Sequence, residues 1–412
     1  MNAKQKPLHE SMDQFPVIDK ELHIGGIPVS QLVEQVGQTP FYAYDRRLIS
    51  QRIKLLRKYL PKDIHLHYAI KANPMPEVVQ HLAGLVDGFD LASAGEMKVA
   101  LGTNMPADKI SFAGPGKTDH ELQQAIDAGV IVNLESEGEM RRISKLAEKT
   151  GVIPKVAIRV NPDYELKSSG MRMGGGPKQF GVDAERVPDM LQELKLLQLE
   201  FYGFHIFWGS QNLNKEAIIE AHDKTIALAI RLNEHVPSPV KLLNIGGGLG
   251  IPYFPGERRL ELQPIAENLE RLLPELKAHL PDAEIVTELG RFIVGEAGVY
   301  ICKIIDKKVS RGEIFLITDG GLHHHLAASG NFGQVIRKNY PVTIANRTKS
   351  DQVETVNIVG PLCTPLDILA SKMELPKAEV GDLVIVFQSG AYGLSASPIN
   401  FLSHPSSQEI LL

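Results

Sequence analysis

Between Ile64 and Glu288 short apolar runs alternate with amphipathic stretches, and this alternation constrains the fold more than any other feature of the chain. The runs are Ile64–Ile70, Gly88–Leu91, Ile110–Phe112, Ile131–Leu134, Lys155–Val160, Leu199–His205, Leu242–Ile245 and Glu284–Glu288. Between them, Glu77–Leu85, Gly95–Gly102, Thr118–Ala128, Glu137–Thr150, Val187–Leu194 and Lys215–His235 carry apolar residues at helical spacing. Strand-length runs separated by helix-length stretches imply parallel strands joined by crossover helices. Eight such units predict an α/β fold built on a (β/α)8 barrel of the TIM type; an open doubly wound sheet is the alternative. The barrel is preferred because the chemically informative residues fall at the C-terminal ends of many strands, where barrels build their sites.

The flanks follow a different grammar. Residues 1 to about 15 read as a loose tail, Leu22–Val29 as a strand and turn, and Pro40–Tyr44 as a second strand. Asp45 can cap a helix over Arg46–Tyr59. Beyond about residue 295, Gly298–Ile305, Glu313–Thr318, Val353–Val359 and Asp382–Gln388 read as strands separated by turn residues, an antiparallel β domain. The expected division is residues 1–44 as tail and strands joining the β domain, 45–294 as the barrel, and 295–412 as the C-terminal β domain.

Composition excludes several function classes. A net charge of -5 without a Lys/Arg run gives no reason to expect nucleic-acid binding. No apolar run reaches the roughly 20 residues of a membrane span. The polar stretch Met1–Phe15 lacks the apolar centre of a signal peptide. Two cysteines, Cys302 and Cys363, are too few for a disulfide framework or a zinc cage and fit a reducing cytoplasmic setting.

Lys71 closes the run Ile64–Ile70, just before the turn signal Asn73-Pro74-Met75-Pro76. A lysine amine loses its charge readily when desolvated, and a neutral amine is what Schiff-base chemistry with an aldehyde requires. A lysine that snorkels to the surface is the plain alternative. Gly246-Gly247-Gly248 directly follows an apolar strand, where bare backbone N–H groups can crowd around an anion such as a phosphate. It lacks the spacing of a dinucleotide fingerprint, and a glycine turn without a ligand is the other reading. Glu288-Leu289-Gly290-Arg291 offers a carboxylate able to hold a proton on a heterocyclic nitrogen, beside an arginine able to clamp phosphate. Asp90 and Arg159 mark further strand ends. Cys363, in a Gly-Pro loop with Asp367, could donate a proton or act as a nucleophile. Tyr392 sits in a tight Gly-Ala-Tyr-Gly turn, its hydroxyl within reach of a phosphate, and Cys302 reads as a small core residue. His323-His324-His325 makes a poor metal set, because neighbouring strand residues point to opposite faces; no metal is expected.

Taken in order, Tyr68–Asn73, Gly88–Ser93, Gly246–Gly248, Glu288-x-Gly290-Arg291, Cys363-x-x-x-Asp367 and Gly390–Tyr392 resemble the pyridoxal-phosphate-dependent decarboxylases of the alanine-racemase fold, those of diaminopimelate, ornithine and arginine. The resemblance spans about residues 20 to 405. It implies pyridoxal 5'-phosphate as cofactor, with Lys71 forming the Schiff base and Glu288 pairing with the pyridine nitrogen. It further implies that the glycine run, Arg291 and Tyr392 hold the phosphate with Ser210 nearby, and that Arg159 lies by the ring hydroxyl. Cys363 and Asp367 would come from the partner subunit of a homodimer, making each active site composite.

Three departures from that family are visible. Phe207 stands where the family places a histidine over the cofactor ring, and His205 lies two residues earlier on the same strand face. Thr364 follows Cys363 where diaminopimelate decarboxylases carry a glutamate. Their Arg-Pro-x-x-Tyr carboxylate clamp is missing; Asp319–His325 occupies that region, and the glycine-rich loop Gly174–Gly181 lies beside the expected site. All three remove specificity for a free diamino diacid. They resemble the biosynthetic-cluster branch of the family, which includes exosortase-associated decarboxylases and decarboxylases of an aminoacyl group tethered to a carrier protein. The expected function is decarboxylation of an L-amino acid or a derivative of one, the substrate either free or bound to an acyl-carrier protein. A racemase of the same fold and a non-catalytic cofactor-binding homologue are the alternatives.

Overall fold

The computed structural model describes residues 7–165, 171–348 and 352–412. They form two units, one of residues 52–251 and 260–292, the other of residues 7–51, 252–259 and 293–412.

The first unit is a closed barrel. Its strands are β1 (Ile64–Ala69), β2 (Gly88–Leu91), β3 (Ile110–Phe112), β4 (Ile131–Leu134), β5 (Lys155–Asn161), β6 (Glu200–Ile206), β7 (Leu242–Gly247) and β8 (Glu284–Leu289). Each pairs in parallel with its neighbours, β4 pairs with β5, and β8 pairs with β1, so no edge is left open. Local signals set the crossover helices. Thr118 and Glu121 form a reciprocal capping box at the start of Asp119–Ala128, and Gly129, at φ 72°, ends that helix in the left-handed region. Ser136 caps Glu137–Thr150, which ends the same way at Gly151. Leu122, Ala125 and Ile126 are the buried face of the first of these helices, at the spacing of one helical stripe.

The second unit is built on a mainly antiparallel sheet, in the order Val342–Ile344, Leu383–Val386, Gly298–Ser310, Glu313–Thr318, Val353–Val359, Ile368–Pro376. Phe41–Tyr44 pairs antiparallel with Gly298–Ser310 and in parallel with Gln408–Leu411. Its core gathers Phe15, Leu22, Ile24, Leu32, Phe41, Val299, Ile301 and Ile385.

Three details differ from the sequence reading. Glu21–Ile24 pairs with Val17–Ile18 and Ile27–Pro28 in a small sheet of its own. Val29–Val36 is a helix, burying Val29 and Leu32, where the sequence reading ended a strand and turn at Val29 and assigned no element to the residues that follow. The described part of the expected tail is fastened: Phe15 is buried, with its ring 5.8 Å from that of Phe387. Met12 and Val17 pack against the same core cluster beside it.

Candidate active site

Register decides which side chains meet at the barrel mouth. His205 on β6 stands opposite Arg159 on β5 and opposite Asn244 on β7, so the three share one level of the barrel. Glu288 on β8 joins that level through hydrogen bonding. Its Oε2 accepts from Asn244 Nδ2 at 3.0 Å and lies 3.0 Å from His205 Nε2. Glu288, His205 and Asn244 are all buried. Burial alone would raise the Glu288 carboxyl; the adjacent His205 ring and the charges of Lys71 and Arg159 outweigh it and hold the group well below the usual carboxylate range. The result is an ionised carboxylate inside a barrel, fixed by two polar neighbours.

Asp90 belongs to the same buried polar cluster. It accepts from Ser111 Oγ at 2.5 Å and sits 3.3 Å from His67 Nδ1. Asn244 Nδ2 reaches it at 3.5 Å.

Lys71 is delivered by the end of β1. The strand stops at Ala69, and a single 3-10 turn, Ile70–Ala72, carries the lysine. Tyr68 donates its hydroxyl to the Asn73 carbonyl at 2.8 Å and closes that turn. Gly290 backs onto it: a Cβ there would stand 2.8 Å from that of Ala72. Lys71 itself is exposed, with Nζ 5.4 Å from the centre of the Phe207 ring. Phe207 follows the last residue of β6, its ring 6.4 Å from that of His205.

The glycine run is sterically obligatory. Gly246 and Gly248 have φ of 75° and 77°, and a Cβ on Gly247 would stand 1.9 Å from the Glu288 carbonyl oxygen. The β7–β8 register shifts between Asn244 and Gly247, a bulge that turns the run out of the ladder. Ser210 lies in the short strand Gly209–Ser210, which pairs with Met171–Arg172. Arg291 opens a four-residue helix just past β8 and is half-buried.

Arg159 is engaged on one side by Glu135, at 2.8 Å, and on another by the Phe180 ring, 4.8 Å from its guanidinium carbon. Glu135 also accepts from the backbone N–H groups of Gly114 and Gly181. Burial opposes its charge, but Arg159 and Lys117 prevail and lower its pKa. Lys117, also buried, donates to Glu139 at 3.0 Å. The glycine-rich loop Gly174–Gly181 is thereby tied to the mouth, through Gly181 on Glu135 and through Gly175 and Gly176 on the Asn161 side chain.

Cys363, Asp367 and Tyr392 belong to the second unit. Cys363 is exposed. Asp367 is 2 % exposed, and its two oxygens accept from the N–H groups of Leu322, at 2.6 Å, and Leu362, at 2.8 Å. Burial raises its pKa. This carboxylate fastens two loops of its own chain, whereas the Cys363 thiol is exposed. Tyr392 sits at φ 52° with its ring 6.5 Å from that of Phe332. His323, His324 and His325 lie in a turn rather than a strand and are buried; His324 reaches the Pro405 carbonyl and His325 the Ser389 hydroxyl. Among the described residues no group of three or more histidines, cysteines and carboxylates is placed to hold a metal ion.

The sequence reading gave no role to Asn244, Glu135 or Phe180. Glu135 carried the same signal as Asp90, a carboxylate at a strand end; Asn244 was masked by the glycines that follow it.

The barrel residues fit pyridoxal phosphate. An exposed lysine amine stands beside an aromatic face, a buried ionised carboxylate lies at the same mouth, and the adjoining glycine turn leaves no room for a Cβ. These are the three parts of the molecule in turn: aldehyde, ring nitrogen and phosphate.

Comparison with known proteins agrees. Residues 46–295 match the family model described as pyridoxal-dependent decarboxylase, pyridoxal binding domain. The chain is 38% identical to the L-glutamyl-[BtrI acyl-carrier protein] decarboxylase of Niallia circulans, over 91% of this chain and 89% of that one. It is 34% identical to the diaminopimelate decarboxylase of Aquifex aeolicus, over 96% and 91%. Among solved structures, diaminopimelate decarboxylase from M. jannaschii in complex with L-lysine superposes with a TM-score of 0.87 at 26% identity, covering 97% of this chain and 93% of that one. These relatives are named as decarboxylases, and none of the three is a racemase or a non-catalytic homologue. With lysine, carboxylate and glycine turn at one barrel mouth and these similarities across nearly its whole length, the chain belongs to the family of pyridoxal-phosphate-dependent decarboxylases.

Proposed function

We propose that this decarboxylase acts on an aminoacyl group carried by an acyl-carrier protein, in a homodimer whose active sites each take Cys363 from the partner subunit. The observation that carries the substrate reading is the Cys363 loop. It continues with Thr364 and Pro365, neither of which carries a charge to pair with a second amino-acid head group, and Cys363 is exposed. A tethered substrate has no free distal carboxylate to be held. The similarity to a decarboxylase of a carrier-bound glutamyl group supports the same reading.

In the proposed mechanism, Lys71 would hold the cofactor aldehyde, Glu288 the ring nitrogen, and Gly246–Gly248, Ser210, Arg291 and Tyr392 the phosphate. Bound pyridoxal phosphate supplies an electron sink for the pair left on Cα when carbon dioxide departs. The Glu288 carboxylate keeps a proton on the ring nitrogen, and His205 and Asn244 keep that carboxylate aimed. Phe207 offers a flat apolar face that does not titrate, 5.4 Å from the Lys71 amine. Arg159, anchored by Glu135, would pair with the ring hydroxyl through its remaining N–H groups. The Cys363 thiol returns a proton to Cα. Asp367 keeps the loop that carries it in shape.

The test is carbon dioxide release from three substrates offered at equal concentration: glutamyl-loaded carrier protein, free glutamate and free diaminopimelate. Turnover of the loaded carrier well above both free acids is expected. Free diaminopimelate turned over faster than the loaded carrier would overturn the substrate reading. Activity restored by mixing Lys71→Ala and Cys363→Ala chains would establish the shared site; no recovery would refute it.

A further inference from the structure

We infer that Asn244 is a positioning residue that sets the two ends of the cofactor cradle at once, holding the carboxylate that meets the ring nitrogen and shaping the turn that meets the phosphate.

One side-chain amide makes both contacts. Its Nδ2 donates to Glu288 Oε2 at 3.0 Å, and its Oδ1 accepts the N–H of Gly246 at 2.8 Å. The residue is 3% exposed, so neither contact is shared with solvent. Gly246 is where β7 leaves its ladder, at φ 75° and inside the register shift between Asn244 and Gly247. Thr287 on β8 donates its hydroxyl to the Gly246 carbonyl at 2.9 Å, and the Asn244 side chain supplies the acceptor for the Gly246 N–H, so the amide holds the donor side of that bulge. The other half of the amide matters because Glu288 is crowded. His205 from β6 and Asn244 from β7 touch it, the charges of Lys71 and Arg159 act on it, and Asp90 from β2 lies 3.5 Å from the same Asn244 nitrogen. An amide donor between Glu288 and Asp90 separates two carboxylates that would otherwise disfavour each other's charge. Only asparagine, with one donor end and one acceptor end at this reach, satisfies both neighbours.

The inference rests on the cofactor assignment above and separates from it in two variants. Asn244→Asp keeps an acceptor for Gly246 and removes the donor to Glu288; Asn244→Ala removes both. Two quantities are read on the full chain: the ratio of dissociation constants for pyridoxal and pyridoxal 5'-phosphate, which reports the phosphate contact, and the pH midpoint of the holoenzyme's visible absorbance band, which reports the ring-nitrogen contact. Asn244→Asp should keep the ratio within about twofold and move the midpoint upward. Asn244→Ala should move the midpoint upward and cut the ratio about tenfold, the loss of one charge-assisted contact. A residue that merely stabilised the fold would move neither. Wild-type ratio and midpoint in both variants would overturn the proposal, as would Asn244→Asp losing the ratio with its midpoint in place. If Asn244→Ala does not fold, the same-sized Asn244→Asp decides alone: a moved midpoint supports the proposal and an unmoved one sinks it. A wild-type chain with no cofactor band would overturn the cofactor assignment as well, a result distinct from unaltered variants of a normal holoenzyme.

Discussion

The Nε2 atom of His205 stands 3.0 Å from Oε2 of Glu288, both groups buried at the C-terminal mouth of the barrel. The contact favours the ionised carboxylate in a place where burial favours the neutral one. Replacing Glu288 by Gln leaves the hydrogen-bonding shape and removes the charge. The variant should bind cofactor and lose about 100-fold or more in kcat, the range typical for removal of a group that governs protonation at the reacting centre. Steady-state carbon dioxide release against pH would check this.

Glu135 makes a second, independent prediction. It pairs with Arg159 and accepts two backbone N–H groups, so its removal strands a buried cation and two donors. Glu135→Ala should cost about 3–5 kcal/mol of stability, the usual result of breaking a buried pair from one side. Urea unfolding monitored by fluorescence gives the number, and a loss under about 1 kcal/mol would argue that Arg159 finds another partner.

Acid should destabilise the protein through buried histidines. His222, in the helix Lys215–Asn233, is lowered to about 4, and His325 to about 3, each by burial. The unfolded chain protonates them near the ordinary histidine value of about 6.5. Between the two values the unfolded state binds more protons, so stability is intact above pH 6.5 and falls as pH drops toward the folded values. At pH 5 each histidine accounts for about 2 kcal/mol of that loss. His222→Phe preserves the edge-to-face contact with Trp208 and should flatten the slope of Tm against pH between 7 and 5. An unchanged slope would place the acid sensitivity elsewhere.

Asp367 is expected to matter for shape before chemistry. Cβ atoms on Gly321 and Gly360 would stand within 2.4 Å of its carboxylate oxygens, and two backbone donors converge on it. Asp367→Ala should lower stability by about 1–3 kcal/mol for the donors left unpaired. Loss of activity in Asp367→Asn with an unaltered Tm would instead assign the residue a direct part in catalysis.

The barrel was legible because its strands are short apolar runs closed by turn residues. Ile131–Leu134 and Glu284–Leu289 read almost to the residue. Ile368–Pro376 went unread because its residues alternate between buried and exposed positions, which breaks the apolar run into fragments. The helix Val29–Val36 was hidden by two β-branched residues beside a proline. At the candidate site, residue types pointed to single candidates such as Lys71 and Glu288. The bond from Asn244 to Glu288 did not show, because it depends on the register of β7 against β8 and on a bulge that sequence spacing cannot locate.

The central claim is that the Lys71 amine carries the cofactor. Borohydride reduction of the purified holoprotein, followed by proteolysis and mass spectrometry, tests it directly. The account predicts a single pyridoxyl-phosphate label on the peptide containing Lys71, and loss of the visible band in Lys71→Ala. A label on any other lysine, or a band that survives the substitution, would contradict it.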